Sequence, residues 1–76
     1  MTVQDMNKKD EYIIKNLNCD DKLRAHLIGM GLIPGYKIQL MMHRFGGYVI
    51  ECLGGKFAMN KTIAKYIEVE NVWKIK

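Results

Sequence analysis

The sequence predicts a mainly β domain, a small five-stranded barrel with one α-helix between the first two strands and a short helical turn before the last. Hydrophobic residues make up 49% of the 76 positions and charged residues 26%, enough apolar material for one core in a chain too short for a second. Short runs with alternating apolar residues indicate strands. Glycine pairs at 46–47 and 54–55 separate three of these runs, as tight turns do. We therefore expect a single domain over residues 1–76.

The N-terminal residues predict a tethered lead-in followed by a strand. Val3 and Met6 lie three positions apart in an otherwise polar segment, a spacing typical of one short turn that buries both side chains under the domain. The aromatic and β-branched run that begins at Tyr12 predicts the first strand, which continues to about Leu17.

A helix is predicted next, because acidic residues precede apolar residues at helical spacing. Either Asp20 or Asp21 is placed to accept a backbone N–H as the N-cap. The apolar residues of one face then recur at i, i+4 and i+7, as Leu23, Leu27 and Met30. Gly31 fits the left-handed position that ends a helix, and Leu32 is placed for the apolar contact that accompanies such an end.

The second strand is predicted to follow a type II turn. Pro34 and Gly35 fit the two central positions of that turn. The alternating residues Tyr36–Arg44 then predict a strand whose inward side chains are Ile38, Leu40 and Met42.

Two hairpins are predicted from the glycine pairs. A first loop of Phe45-Gly46-Gly47 gives the inward pairs Arg44–Tyr48, Met42–Ile50 and Leu40–Cys52. A second turn of Gly54-Gly55 gives the pairs Cys52–Phe57 and Ile50–Met59. Both registers keep one face apolar across three strands, which is the face expected to form the core.

The last elements are a helical turn and a strand. Residues 61–65 suit a single turn of helix after Asn60. Residues 66–72 return as a strand with Ile67 and Val69 inward. Five short strands of this kind are expected to close into a barrel, because closure removes exposed strand edges.

Two segments carry a resemblance to the FeoA family. The stretch Leu23–Gly35 is similar to that family's leucine-bearing helix ending in Leu-Gly-Leu-x-Pro-Gly, with Met30 in place of the leucine before the glycine. The second half of the pattern matches Gly54–Met59, then Ala64, then Ile67–Val69. The apolar positions 3 and 6 match as well, whereas residue 9 is a lysine where the family often has glycine. The resemblance covers nearly the whole chain.

The resemblance implies an SH3-like β-barrel and a role in bacterial ferrous iron uptake. Proteins of this kind are small, cytoplasmic and non-enzymatic, and they work with FeoB, a membrane protein whose cytoplasmic end is a GTP-binding domain. The same domain occurs at the C-terminus of some iron- and manganese-dependent repressors, but these need a DNA-binding domain that 76 residues cannot also contain.

Composition and motifs favour a soluble interaction module without a cofactor. Two cysteines and no secretory segment are typical of a reducing cytoplasm, and the longest mainly apolar stretch, residues 27–34, is far short of the roughly 20 residues that cross a membrane. The sequence has no nucleophile–base pair and no phosphate loop, since Gly54-Gly55-Lys56 is followed by Phe57 rather than Ser or Thr. We expect neither an enzyme nor a nucleotide-binding protein; a homo-oligomer is compatible with the sequence.

Direct iron binding is a rival hypothesis that would use His26, His43 or Cys19. These residues and Cys52 have no Cys-x-x-Cys spacing and no histidine pair at i and i+4, so the pattern favours no metal site. Cys52 is expected in the core as a small hydrophobe. Cys19 is expected in a loop, and both histidines are expected on the surface.

Nucleic-acid binding is the second rival, since the formal net charge is +4. The stretch Arg44–Val49 comes close to the RNA-binding strand motif Arg-Gly-Phe-Gly-Phe-Val, but Phe45 and Gly46 stand in swapped order. A shift by one residue moves an aromatic ring to the other sheet face and removes the stacking platform. The segment is therefore interpreted as a hairpin tip, and no nucleic-acid partner is expected.

The hypothesis for the functional surface is a patch of exposed apolar residues. The predicted register opposes His43 with Val49, Met41 with Glu51 and Gln39 with Leu53 on the outward face. Such a patch is either ordinary exposed surface or a protein contact. As a contact it would include eight residues of the loop and the hairpin: Leu32, Ile33, Pro34, Gly35, Tyr36, Met41, Val49 and Leu53. Three cations would border it and favour an acidic partner surface: Lys37, Arg44 and Lys56.

Overall fold

The computed structural model describes residues 1–72, which form one antiparallel sheet, two α-helices and an N-terminal 3₁₀ helix. The strands are β1 (Glu11–Leu17), β2 (Lys37–Arg44), β3 (Gly47–Cys52), β4 (Gly55–Asn60) and β5 (Ile67–Asn71). The helices are the 3₁₀ helix (Val3–Asp5), α1 (Asp21–Gly29) and α2 (Lys61–Ala64). The predicted order of elements is confirmed.

The sheet is open, so the expectation of a closed barrel is wrong. Its strand order is β4-β3-β2-β1-β5, and within residues 1–72 the two edge strands are not paired with each other. Another segment occupies the free side of β5: the Val69 N–H donates to the Met1 carbonyl at 2.8 Å, and Thr2 pairs with Glu68. The chain's own N-terminus thus covers the edge that barrel closure would have used.

The N-terminal turn is built as its spacing predicts. The Thr2 hydroxyl accepts from the Gln4 N–H, and the Asp5 carboxylate accepts from the Thr2 N–H at 2.9 Å, so both ends of a capping box are present. Val3 and Met6 are buried. The two predicted anchors therefore fix the segment that covers β5.

Helix α1 begins and ends at the expected residues. Asp20 is the N-cap, and its carboxylate accepts from the Leu23 N–H at 2.8 Å. At the other end the Gly31 N–H donates to the Ile28 carbonyl and the Leu32 N–H to the Leu27 carbonyl, each at 3.0 Å, which is a Schellman motif. Gly31 has φ +106°, a conformation that only glycine adopts at little cost.

The loop after α1 joins strand β1 before β2 begins. The Tyr36 N–H donates to the Ile33 carbonyl at 3.1 Å across the predicted Pro34-Gly35 turn, where Gly35 has φ +97°. The Gly35 N–H then donates to the Ile14 carbonyl at 2.7 Å, and the Ile14 N–H donates to the Tyr36 carbonyl. These bonds hold the turn firmly against the sheet.

The core lies on one face of the sheet, under α1 and α2. Its largest fully buried side chains are Tyr12, Ile14, Leu17, Leu32, Ile38, Ile50 and Ile67. The Tyr12 hydroxyl accepts from the Asn7 N–H at 2.8 Å, so this buried polar atom is satisfied. Ile67 and Val69 point inward in β5 as predicted, and Asn60 caps α2 by accepting from the Ile63 N–H.

The first hairpin has a tighter loop than the predicted one. Arg44 pairs with Gly47, so the loop is Phe45-Gly46 alone, with φ of 56° and 75° at its two positions. Two positive φ values match the twist of the flanking strands, and a two-residue turn is therefore preferred over a three-residue loop. The predicted pairs Arg44–Tyr48 and Met42–Ile50 are wrong; Tyr48 lies opposite His43 and Met42 lies opposite Val49.

A bulge at Met41 then restores the core face. The register shifts between Leu40 and Met42, so Leu40 pairs with Ile50 rather than with Cys52. Without the extra residue, the two-residue turn would have turned Leu40 outward together with Met42. Instead Leu40 is buried and Met42 is exposed, contrary to the inward position predicted for Met42.

The second hairpin also turns one residue earlier than predicted. Cys52 pairs with Gly55 around a Leu53-Gly54 turn, with φ of 55° and 80°. The pairs Cys52–Phe57 and Ile50–Met59 are therefore wrong, and Ile50 faces Phe57. The slip is two residues, so the predicted inward face is kept.

Candidate docking surface

The exposed large apolar side chains are concentrated on the β2–β3 hairpin and its turns. Exposure reaches 99% for Phe45, 71% for Leu53, 42% for Met42 and 40% for Met41. Single exposed apolar residues are ordinary, but four fall within thirteen positions, with Phe45 and Leu53 in the turns at the two ends of β3 and the two methionines on β2. We call the sheet face turned away from the core, with its two hairpin turns, the outer face.

The outer face is arranged in cross-strand rows. Met42, Val49 and Ala58 lie side by side across β2, β3 and β4. A shallow cleft of about 370 Å³ runs over this row toward the Phe45 turn. A second row toward the other end is polar, with Gln39, Glu51 and Lys56.

Three of the predicted contact residues belong to the hairpin, and all three have solvent access. Met41 and Leu53 are exposed, whereas Val49 is half-buried between its neighbours. Their expected partners differ, because Gln39 rather than Met41 pairs with Glu51 and Met42 rather than His43 pairs with Val49. Met42 itself was missed, although the preference of an X-Gly pair for a two-residue turn would have placed it outward.

The predicted loop residues divide into a buried anchor and an exposed turn. Leu32 is fully buried, so the expectation that its side chain extends the surface patch is wrong: the Schellman motif turns it into the core. Ile33 is half-buried, while Pro34, Gly35 and Tyr36 are exposed. Because Gln39 pairs with Glu51, this loop lies at the same end of the sheet as the Leu53 turn.

Both hairpin turns hold a large apolar residue in a left-handed conformation. Phe45 has φ 56° and Leu53 has φ 55°, at positions where Asn, Asp or Gly is normally found. Non-glycine residues in this region cost about 1–2 kcal/mol each. The two turns are thus unfavourable both in backbone conformation and in solvent exposure, a combination that points to a function rather than to stability.

The two arginines have different environments. The Arg24 guanidinium donates to the Leu17 carbonyl at 3.3 Å, the Cys19 carbonyl at 3.0 Å and the Asp21 carboxylate at 3.0 Å, so it fastens the connection from β1 to α1. Arg44 lies beside the Phe45 turn and is exposed. Lys37 and Lys56, the other predicted border cations, are exposed as well.

The cysteines and histidines lie apart from the outer face. Cys52 is buried, its thiol donates to the Gly31 carbonyl at 3.5 Å, and desolvation raises the pKa of this thiol. Cys19 is half-buried in the loop before α1, and His26 is exposed. In the part of the chain that the structure describes, no three His, Cys, Asp or Glu side chains are grouped to hold a metal ion.

The aromatic residues of the hairpin do not form a common platform. Phe45 occupies the turn, whereas Tyr48 faces the core side and is stacked against His43 with ring centroids 4.1 Å apart. The surface arrangement that RNA-binding strands use is therefore not formed by these two rings.

A second concave feature lies on the opposite side of the sheet, between α1, α2 and β4. This groove has a volume of about 410 Å³ and is lined mainly by apolar residues: Leu23, Leu27, Met30, Met59 and Ile63. His26 lies at its border. None of the helices between residues 1 and 72 is long and apolar enough to cross a bilayer.

Comparisons with known proteins agree with this architecture. The model of the FeoA domain family matches residues 1–71. The solution structure of iron(II) transport protein A from Clostridium thermocellum is similar with a TM-score of 0.86 and 26% identity, over 96% of this chain and 46% of that one. A crystal structure of an iron uptake regulatory protein (FeoA) gives 0.83 and 29%, over 95% of this chain and 100% of that one.

The fold also occurs in a regulator of a different kind. The structure of the manganese regulator SloR matches with a TM-score of 0.79 and 20% identity, over 93% of this chain and 34% of that one, a likeness of fold alone. This chain spans less than half of the Clostridium protein and about a third of the regulator. A search of curated proteins returns no match. The family match over residues 1–71, with the mainly β, SH3-like sheet described above, shows that the chain belongs to the FeoA domain family.

Proposed function

We propose that this protein is a non-enzymatic accessory protein of ferrous iron uptake that docks, in the cytoplasm, on the GTP-binding domain of a FeoB-type transporter. Membership of the FeoA domain family supports the link to iron transport. The observation that carries the docking site is the group of exposed apolar side chains on the outer face, which includes Leu53 and Met41. Covering such side chains with a partner is favourable, because it removes apolar surface from water.

The proposed contact combines the outer face with the neighbouring turn at 33–36. Ile33, Pro34, Gly35 and Tyr36 continue the surface from the Leu53 turn, and Val49 lies beside Met42 in the row next to the polar row. The unbranched side chains of Met41 and Met42 adapt to a partner's shape. Lys37, Arg44 and Lys56 at the border favour a partner surface that carries acidic residues.

Docking acts on the transporter by shifting its conformational equilibrium. A bound protein changes a partner's states only if it binds them with different affinities. We therefore expect the affinity for the GTP-binding domain to differ between its nucleotide states.

Neither arginine is expected to insert into the GTPase site of the transporter. Arg24 is engaged by two backbone carbonyls and Asp21, and freeing it would undo the loop before α1. Arg44 is the exposed arginine, and Arg44→Ala is expected to leave GTP turnover by the transporter domain unchanged. A loss of stimulation of about 10³-fold or more in this variant would identify an inserted arginine instead.

The test is the affinity of the protein for the isolated GTP-binding domain, measured by calorimetry with three variants. Leu53→Lys and Met41→Lys place a charge in the apolar contact and are expected to weaken binding by about tenfold or more each. Ile28→Lys is the matched control, since Ile28 is a similarly exposed apolar residue on α1. Unchanged binding by both hairpin variants, or an equal loss in the control, would contradict the outer face as the contact.

A salt series on the wild-type complex separates this contact from binding through phosphate groups. Apolar docking is expected to weaken little between low and moderate salt, whereas binding to nucleic acid weakens steeply.

A further inference from the structure

One edge of the sheet is covered by the N-terminal residues, and the other edge is open. At β5 the N-terminal residues pair with the free edge of the strand: the Val69 N–H donates to the Met1 carbonyl, and Thr2 forms a β-bridge with Glu68. Strand β4 forms the other edge, and among residues 1–72 no further strand pairs with it. An uncovered edge strand offers its backbone groups to another strand.

The backbone groups that β4 presents follow from its turn. Cys52 and Gly55 flank the two-residue turn, so they are the pair that exchanges hydrogen bonds across the hairpin. Alternation along an antiparallel pair then directs the N–H and C=O groups of every second residue away from β3. These residues are Lys56, Ala58 and Asn60, and all three are exposed.

The edge has few of the usual features that prevent strand pairing. The β3–β4 register is continuous from Gly47–Asn60 to Cys52–Gly55, so β4 has no bulge, and it contains no proline. Its one charge is Lys56. Helix α2 does not cover the edge either, because it turns inward: Ala64 is buried and the Lys61 carbonyl accepts from the Gln4 side chain.

We infer that β4 pairs with β4 of a second copy of this chain, antiparallel and centred on Ala58. A two-fold axis at this position sets Ala58 opposite its own equivalent. It also sets Lys56 opposite Asn60 and Phe57 opposite Met59. The strand is therefore complementary to itself, with no like charges opposed and apolar side chains adjacent on the core side.

The neighbouring registers are less favourable, and this selects the centre. Centring the pair on Lys56 would oppose two lysines. Centring it on Asn60 would direct the second strand into α2, which begins at the next residue. Centring it on Phe57 would pair Lys56 with Ala58 and set Asn60 against the turn, whereas centring it on Met59 would pair Ala58 with Asn60 and set Lys56 against α2. The Ala58 register avoids these conflicts and pairs all three outward-facing residues.

The backbone bonds of this pairing can be assigned. The two Ala58 residues exchange two N–H···O=C bonds. At each end the Asn60 N–H donates to the Lys56 carbonyl of the other copy. The Asn60 carbonyl is not available for the pairing, because Asn60 is the N-cap of α2 and its carbonyl accepts the first hydrogen bond of that helix. Four backbone bonds and a narrow strip of side chains make a small interface, so the association is weak and depends on concentration.

The pairing would join the two outer faces into one continuous sheet surface. Ala58 belongs to the same row as Met42 and Val49, so the docking surface of each copy would continue into that of the other. Self-association does not depend on the proposed transporter contact and is tested without it.

The experiment is a dilution series of the full chain, followed by sedimentation velocity and by amide chemical shifts. We expect a dimer that dissociates on dilution, with the shifts confined to residues 55–60. Ala58→Lys opposes two charges at the centre of the pair and is expected to give a monomer at every concentration. Ala25→Lys, the same change at an exposed position of α1, is the control and is expected to associate as the wild type does.

Two further measurements keep the test decisive. Ala58→Pro removes only an N–H that points away from β3, so it should keep the fold and lose the dimer. In a mixture of isotope-labelled and unlabelled wild-type protein, cross-chain contacts should join Ala58 to Ala58 and Lys56 to Asn60. A monomer over the whole series, a dimer that survives Ala58→Lys, or dilution shifts on the α1 side of the groove, at Leu23, Leu27 and Met30, would overturn the inference.

Discussion

The two sides of the sheet differ in what they expose. On the β1–β5 side, the N-terminal residues cover the edge, and the exposed surface carries the ion pair of Lys15 with Glu70 at 3.6 Å near the exposed Met1. On the β2–β4 side, the edge is open and the surface carries Met41, Met42 and two apolar turns. The first side is built for stability in water. The second leaves apolar side chains and backbone groups exposed, as expected for the docking surface proposed above.

The left-handed residues show the same difference. Around α1 these positions are glycines, Gly31 and Gly35, which adopt φ values near +100° at little cost. In the hairpins the first left-handed position of each turn is Phe45 or Leu53. Strain therefore coincides with exposed apolar surface, and both features fall on the side proposed to dock.

The largest effect is expected at Leu32, the residue that joins α1 to the core. Leu32→Ala removes a fully buried side chain and should lower the free energy of unfolding by about 2–5 kcal/mol. Leu53→Ala removes the same atoms from an exposed turn and should change it by about 0.5 kcal/mol or less. Chemical denaturation measures the free energy of unfolding of both variants. Similar losses of stability would contradict the expected difference between the core residue and the exposed turn residue.

A smaller effect is expected for the two arginines. Arg24→Ala removes the donors to the Leu17 and Cys19 carbonyls and should destabilise the protein by about 1–2 kcal/mol. Arg44→Ala should be close to neutral, because Arg44 is exposed beside a turn. Thermal unfolding of the two variants measures the difference. An unchanged stability of Arg24→Ala would mean that the connection from β1 to α1 is stable without this side chain.

A gain in stability is expected when a strained turn receives its preferred residue. Phe45→Asn and Leu53→Asn each create an Asn-Gly turn and should stabilise the fold by about 0.5–1 kcal/mol. Leu53→Asn should at the same time weaken binding to the transporter's GTP-binding domain. Stabilisation without any loss of binding would separate strain from function at that turn.

The smallest effect at neutral pH is expected for the thiols. Cys19 should react with a thiol reagent well before Cys52, which is buried and has a raised pKa. The folded state holds the Cys52 proton above the pH at which the unfolded chain releases it, so stability should fall as the pH rises through the thiol's ordinary pKa and beyond. Cys52→Ala should reduce that alkaline loss, and an unchanged pH profile would contradict it.

Most of the fold on the β1–β5 side follows from local signals in the sequence. The Gly31 end of the helix, the Pro34-Gly35 turn and the inward pair Ile67 and Val69 each have a residue pattern with one favourable structure, and the helix cap is narrowed to Asp20 or Asp21. Strand pairing follows from such patterns less completely. Alternation fixes which face is apolar, but it does not fix how many residues form a turn.

On the β2–β4 side, the undetermined turn length changed which residues were predicted to be exposed. A loop shorter by one residue turned Met42 outward, and the bulge at Met41 returned Leu40 to the core. The bulge has no signature in the sequence, since it depends on the fit of Leu40 against Ile50 across the strands. The open β4 edge likewise depends on where the N-terminus pairs, and a local pattern does not give that partner.

The most direct test of the docking account is a titration of labelled protein with the transporter's GTP-binding domain, in each nucleotide state, followed by amide chemical shifts. We predict changes at residues 33–36 and 39–53, tighter binding in one nucleotide state than in the other, and little change in β5. Changes confined to β5 and the N-terminal turn, or none in either nucleotide state, would contradict the outer face as the contact.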